Sequence, residues 1–442
     1  MNGRAAPPCF AGDAWRDHYA QRFLLPRKIC PGPRCDEIAG RRASTVGLSG
    51  LALIIASGSA RALAQAAWTQ TFQGMGLDFA VFDFGGECSF AEISRGTEAA
   101  RRVSASVIIG AGGGKTLDIA RAVAAELDLP VACCPTTASS DAPCSALAVL
   151  YTEEGVFERC LYFRRNPDLV LVDSGIIARA PARQLIAGMG DALATCSEAE
   201  ASMRAHRRNV VGGSSTLTAA AIARLCYQTL LKDGTSALAA ARPGAITPAF
   251  ERIIEANTLL SGLGFESGGL AVAHSVHNGL TAASETRDRL HGEKVAFGTL
   301  VQLVLEGADN AVMDEVMSFC LSVGLPLTLA ELGLQKLTRE KARAIAQRAI
   351  APGESAHNEP IRGNRRGGHG CALRGEFSGR DFQSAPSAIG RVRSIVRVFL
   401  LRLTHTNSRS ASSMLFHSSS CRDGSCYTLR IPARLSPNST RK

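Results

Sequence analysis

The sequence lacks any apolar run approaching the roughly 20 residues needed to cross a bilayer. Its N-terminus also lacks the basic, then apolar, then small-residue order of a secretion signal. A soluble, cytoplasmic protein with no membrane partner is the expectation. Asp13 and Asp17, with no clear amphipathic helix around them, weigh against an organelle-import leader. The 14 cysteines contain no C-x-x-C pair, and a chain of 442 residues needs no stapling, so neither a disulfide framework nor a thiolate zinc site is indicated. A basic surface is also missing from most of the chain. Residues 361–442 hold 15 of the 49 Lys and Arg but only 3 of the 39 acidic residues, which leaves 34 basic against 36 acidic over residues 1–360. A groove for nucleic acid requires positive charge in the folded body, so no nucleic-acid partner is expected.

What is present centres on Ser106-Val-Ile-Ile-Gly-Ala-Gly-Gly-Gly-Lys-Thr-Leu-Asp118. A β-branched run, a glycine turn and apolar residues at helical spacing read as strand, turn and helix. Glycines let backbone approach an anion, and the helix start presents unpaired N–H groups and a positive dipole end. A Walker A loop would need glycine in place of Ile109, and G-x-G-x-x-G would need it in place of Lys115. The expectation is a nucleotide cofactor without ATP hydrolysis; the alternative is a tight turn with no ligand.

Residues 1–48 show little periodicity. From there, strands at 51–56, 78–84, 107–109 and 130–134 alternate with helices, including 60–74 and 117–127, and strands at 147–151 and 169–172 follow. That alternation predicts a parallel sheet covered on both faces, with ligands beyond the carboxyl ends of its strands. The loop from Pro135 to Ser145 is rich in hydroxyls and holds Asp141, which suits either a sugar-like ligand or a solvated connector. Between 181 and about 350 the β-branched runs nearly vanish and apolar residues recur at helical spacing, predicting a helical domain. The fold class is therefore α/β: a Rossmann-like parallel-sheet domain over 49–180, an all-helical domain over 181–358, and a basic tail over 359–442.

Three places in the helical part carry possible chemistry: Asp191 within a run of small residues, His274 and His277 on an apolar stretch, and His291. Burying such groups without partners is costly, and a metal would satisfy them. Each histidine taken alone is more often a satisfied core or interface residue, and spacing alone does not bring Asp191, His274 and His291 together.

The chain resembles the glycerol-oxidising members of the metal-dependent (iron-containing) alcohol dehydrogenase family. The likeness covers about residues 75–358 and rests on Phe84-Gly-Gly-Glu-Cys-Ser, Gly112-Gly-Gly-Lys-Thr-Leu-Asp, Ser139-Ser-Asp-Ala-Pro-Cys-Ser-Ala-Leu, Gly190-Asp-Ala-Leu-Ala-Thr, Ala273-His-Ser-Val-His-Asn-Gly-Leu-Thr and His291-Gly-Glu-Lys-Val-Ala-Phe-Gly-Thr-Leu. It implies that Asp191, His274 and His291 bind Zn2+, with Fe2+ equally compatible with the donors. It implies that Gly112, Gly113, Gly114, Lys115, Thr116 and Asp118 hold the NAD pyrophosphate, and that Thr136, Ser139, Ser145, Leu147 and Tyr151 line the cofactor. Asp141 would contact the hydroxyls of glycerol, and the chain would form a homo-oligomer. One carboxylate and two imidazoles leave a coordination position open, as a catalytic zinc requires. The expected reaction is oxidation of glycerol to dihydroxyacetone with hydride passing to the nicotinamide, and His277 is a candidate proton relay.

Two departures stand out. Ser57 replaces the acidic residue that family members carry at the end of the first strand, which loosens the preference for NAD over NADP. After Asn358 the chain turns Arg-, Ser- and Gly-rich where the family continues with an amphipathic helix. A catalytically impaired member that only binds nucleotide, or a dehydrogenase for a polyol phosphate, are the alternative readings.

Overall fold

The computed structural model describes residues 50–360 apart from Met75. The expectations for residues 1–48 and for the basic tail beyond Pro360 lie outside the described residues. Strand β1 (Ala52–Ala56) is buried along its whole length. Side chains in a strand alternate between faces, so Leu53 and Ile55 enter one core while Ala52, Ile54 and Ala56 enter others on the opposite side. A continuous apolar run is the signature of a strand covered twice, and burial of each large aliphatic side chain contributes about 1.5–3 kcal/mol.

The chain continues through α1 (Gly58–Gly74), β2 (Phe79–Asp83), α2 (Phe90–Arg102), β3 (Val107–Gly112), α3 (Gly114–Leu127) and β4 (Val131–Pro135). With β7 (Leu169–Val170) these strands form a parallel sheet in the order β2-β1-β3-β4-β7. Helix α1 packs on one face through Ala60, Trp68 and Phe72, and α2 and α3 pack on the other through Ile93, Ile119 and Val123. Strand β1 has β2 on one side and β3 on the other, so the order reverses between β1 and β3. Ligands in such sheets bind outside the carboxyl ends of the strands where the order reverses, and the glycine turn follows β3 at that end.

Residues 147–151 do form a strand, β5 (Leu147–Tyr151), but outside the parallel sheet. It pairs antiparallel with β6 (Phe157–Tyr162), a strand that the sequence reading did not identify. The sequence of β6, Phe-Glu-Arg-Cys-Leu-Tyr, puts Glu158 and Arg159 inside the strand, and neither of its faces is fully buried.

Helices dominate from α4 (Ser174–Ile177) onward: α5 (Ala182–Arg204), α6 (Leu217–Ala241), α7 (Pro248–Glu255), α8 (Ser261–Gly268), α9 (Val272–Leu280), α10 (His291–Glu306), α11 (Asn310–Val323) and α12 (Arg339–Ala349). Between α7 and α8 the helix widens to a π turn over Ala256–Leu260. The Asn257 side chain of this turn donates to the carbonyls of Ala138 and Leu185 at 2.9 and 3.2 Å, tying the loop after β4 to the helices. Buried Glu266 makes a second tie, accepting from the Ala146 N–H at 2.6 Å and from Asn166 at 2.7 Å. Among the described residues no helix is long and apolar enough to cross a membrane.

Candidate active site

Helices α5 and α10 pack directly against one another, and the residues at their contact explain how they come so close. A Cβ at Gly190 would overlap the carbonyl oxygen of Gly292, and one at Gly292 would overlap the carbonyl of Ala187. Only glycine permits this approach. It brings Asp191 of α5 to His291, the first residue of α10. The start of α10 is fixed by Glu293, whose carboxylate accepts from the Leu290 N–H at 2.8 Å and from Arg183 Nε and Nη2 at 2.7 and 2.8 Å.

His274, on α9, completes the group. One ligand atom from each of Asp191, His274 and His291 lies within 4.8 Å of the others. Asp191 is fully buried, and its Oδ1 stands 3.0 Å from His291 Nε2 and 3.4 Å from His274 Nε2 without a well-formed hydrogen bond. A buried carboxylate oxygen left in that state is costly unless something else satisfies it. A divalent cation fits: the donors are two ring nitrogens and a carboxylate, which suits zinc or ferrous iron, and three ligands leave an open position. The expected metal set is thus assembled from three helices spread over 101 residues of chain.

The other contacts orient this group. Asp191 Oδ2 accepts from the Asp141 N–H at 3.2 Å, so the loop after β4 reaches the same place. The Asp141 carboxylate in turn accepts from Ser261 Oγ at 2.8 Å. Sequence reasoning missed Glu198, which is buried two turns beyond Asp191 on the same face of α5. Its Oε2 lies 2.6 Å from His274 Nδ1, and its Oε1 accepts from the N–H groups of Ala271 and His274 at 2.9 and 3.0 Å. A carboxylate behind a ligating imidazole fixes its tautomer and orientation. The spacing of seven residues from Asp191 was the available signal. His277 sits behind His291, its Nε2 3.0 Å from His291 Nδ1 and its Nδ1 3.0 Å from Asn278 Oδ1, so both ring nitrogens are engaged.

The electrostatics follow from this crowding. Burial works to raise the Asp191 carboxyl, but the neighbouring imidazoles overcome it and hold the group well below the usual carboxylate range. Burial, and next the charge of Asp191, push the Asp141 carboxyl well above that range. Burial opposes a charge on His274, yet Glu198 and Asp191 together outweigh it and raise the imidazole well above its ordinary value. His277 is pulled down by burial and then by His291 and Lys294.

The residues expected to hold the dinucleotide fall into two groups. At the carboxyl ends of the strands, the Ser57 N–H donates to the Ala111 carbonyl at 3.1 Å, and the Thr136 N–H donates to that of Gly112 at 3.0 Å. Gly112 has φ +156° and a Cβ there would come within 2.7 Å of Thr116 Oγ1. Gly113, Gly114, Lys115 and Thr116 open α3, with Gly114 beside Ser140, and Ser139 Oγ lies 3.1 Å from Thr137 Oγ1. Lys115 pairs with Glu87 at 2.7 Å over the Tyr151 ring, which brings the Phe84–Ser89 motif to the turn. The second group is occupied in holding the fold. Asp118 pairs with buried Arg121 and accepts from the Val149 N–H at 3.0 Å, and Arg121 also donates to Ser145 Oγ at 2.8 Å. Leu147 and Tyr151 are buried with them on β5.

A model of the iron-containing alcohol dehydrogenases matches residues 26–174. A glycerol dehydrogenase of Pseudomonas putida is 54% identical over 308 residues, which is 70% of this chain and 84% of that protein. Among solved structures, a probable glycerol dehydrogenase from Sinorhizobium meliloti 1021 matches with a TM-score of 0.70 at 38% identity, covering 85% of this chain and 96% of that one. A sulfoacetaldehyde reductase from Bifidobacterium kashiwanohense, solved in complex with NAD+, shares the fold at a TM-score of 0.60 and 19% identity, over 74% of this chain and 91% of that one.

Proposed function

We propose a function from the premise that this chain belongs to the iron-containing alcohol dehydrogenase family and is an oxidoreductase acting on a CH–OH group: it oxidises glycerol, and related vicinal diols, with NAD as hydride acceptor and zinc held by Asp191, His274 and His291. The observation that carries the reading is the unsatisfied Asp191 Oδ1 facing two imidazole nitrogens, one short loop away from a glycine turn at a strand-order reversal. A zinc ion bound there supplies Lewis acidity that makes a substrate hydroxyl easier to deprotonate. Bound NAD supplies the hydride acceptor.

The chain's own residues have three tasks. Asp141, whose N–H already touches Asp191, presents its carboxyl to a second substrate hydroxyl, which selects a diol over a simple alcohol. Gly112 to Thr116 seat the pyrophosphate with backbone N–H groups and the dipole of α3. Buried Asp191 and Glu198, with partly buried His274, hold the ligand geometry so that the reacting carbon faces the nicotinamide. Ser57 bears on the coenzyme. A serine at the end of β1 offers no carboxylate to ribose hydroxyls and does not repel a 2′-phosphate, so rates with NADP belong in the same assay.

The test is an initial-rate assay of purified protein with glycerol, zinc and either coenzyme. NADH forms with the wild-type chain, and Asp191→Ala or His274→Ala removes both turnover and bound zinc. Normal turnover by either variant would rule the site out. A thermal shift with NAD but no turnover at any zinc concentration would favour a nucleotide-binding member without catalysis.

A further inference from the structure

The two imidazoles at the metal site are braced differently. His274 Nδ1 meets a carboxylate directly, Glu198 at 2.6 Å, whereas His291 Nδ1 meets another imidazole. A neutral histidine can donate from only one nitrogen, so His291 can turn a lone pair toward a metal only if His277 Nε2 accepts. Something must dictate that choice. The line behind His277 does so: His277 Nδ1 to Asn278 Oδ1 at 3.0 Å, Asn278 Nδ2 to Glu354 Oε2 at 2.8 Å, and Arg348 Nη1 to Glu354 Oε1 at 2.6 Å.

We propose that Glu354 and Asn278 are positioning residues that act through His277 to lock His291 in the tautomer whose Nε2 lone pair faces Asp191. The logic runs from the outside inward. A guanidinium only donates and an ion-paired carboxylate only accepts, so Asn278 must turn its NH2 to Glu354 and its oxygen to His277. That oxygen requires a proton on His277 Nδ1, which leaves Nε2 to accept from His291 Nδ1. His291 Nε2, 3.0 Å from Asp191 Oδ1, is then unprotonated. Each of the two ligating histidines thereby ends on a carboxylate, one directly and one through two residues.

The outer end of the line is firmly held. Ser355 Oγ donates to the Ala271 carbonyl at 2.6 Å, the Ala356 N–H to Ser275 Oγ at 2.7 Å, and Asn358 to the Leu270 carbonyl at 2.9 Å. The segment around Glu354 is thus strapped along α9, the helix that carries His274 and His277. The last family-like residues before the basic tail are in this way part of the metal site.

This inference rests on the metal reading given above, and its test separates the two. Ring-nitrogen NMR of histidine-labelled protein, metal-free and zinc-loaded, shows His277 protonated on Nδ1 in the wild-type chain. Glu354→Leu and Asn278→Leu shift His277 toward Nε2 protonation and weaken zinc about 10–100-fold. Glu354→Gln has one amide oxygen, which the Arg348 guanidinium claims, so its NH2 faces Asn278 and the tautomer shifts as in the leucine variants while the side-chain volume is kept. His277 protonated on Nε2 in the wild-type chain overturns the proposal, even if no variant folds. So does zinc affinity unchanged in both leucine variants, which would leave glycerol oxidation standing. The predicted tautomers and affinities without glycerol oxidation would instead sink the function and leave this inference intact.

Discussion

Lys294 shows how a single residue can work against the fold. It lies one turn beyond His291 on α10, is 7% exposed, and is pushed down to about 8 by burial and then by the charge of Lys115. The sign of its effect follows from proton counting. Below about pH 8 both the folded and unfolded chains carry the proton, so the cost of burying the charge is constant and complete. Between about 8 and 10.5 the unfolded chain keeps a proton that the folded chain has shed, and stability rises with pH. Lys294→Met should therefore stabilise the protein near neutral pH, by at most about 3 kcal/mol, and the gain should disappear toward pH 10.5. Urea melts at both ends of that range check it, and an equal loss at both would contradict it. The candidate metal residues stood out in the sequence as an acid among small residues and histidines on apolar stretches, which need partners, and the family resemblance grouped Asp191, His274 and His291 into one set. Lys294 did not, since a lysine on a helix is ordinarily solvated. Nor did the Asn278–Glu354 pair, because nothing in the sequence signals a meeting of side chains 76 residues apart.

Among the elements, α5 and α10 decide whether a site exists at all. Their glycines were visible in the sequence, but the reason for them was not, because close approach of two helices is a property of the pair. The expected outcome for Gly292→Ala is a loss of at least about 1–3 kcal/mol, as in other overpacked contacts, together with weakened zinc binding as Asp191 and His291 separate. Gly58→Ala serves as the control, since a Cβ there meets nothing within 4 Å. Denaturant titration and zinc affinity of the two variants decide the matter: equal behaviour would mean the contact is not tight. The strands of the parallel sheet were easy to read because each is an apolar run between turn signals. The β5–β6 hairpin was half-missed because β6 is partly exposed on both faces and carries Glu158 and Arg159 within it.

At the scale of the whole molecule, alternating strands and helices announced the sheet, while its order, which sets where the reversal falls, had to come from the structure. Strand β3 delivers the glycine turn, and its neighbour β4 delivers the loop from Thr136 to Asp141. Gly112 accepts from the first residue of that loop at 3.0 Å, and Asp191 accepts from the last at 3.2 Å, so turn and acid stand on the same side of the sheet. Three side chains from separate helices are thereby set beside the end of the sheet at which its strand order reverses. The most direct test is anomalous X-ray diffraction at the zinc edge from crystals of the zinc-loaded protein. The account predicts one strong peak about 2.0–2.2 Å from Asp191 Oδ1, His274 Nε2 and His291 Nε2. A peak elsewhere, or none at these atoms in crystals that contain zinc, would contradict it.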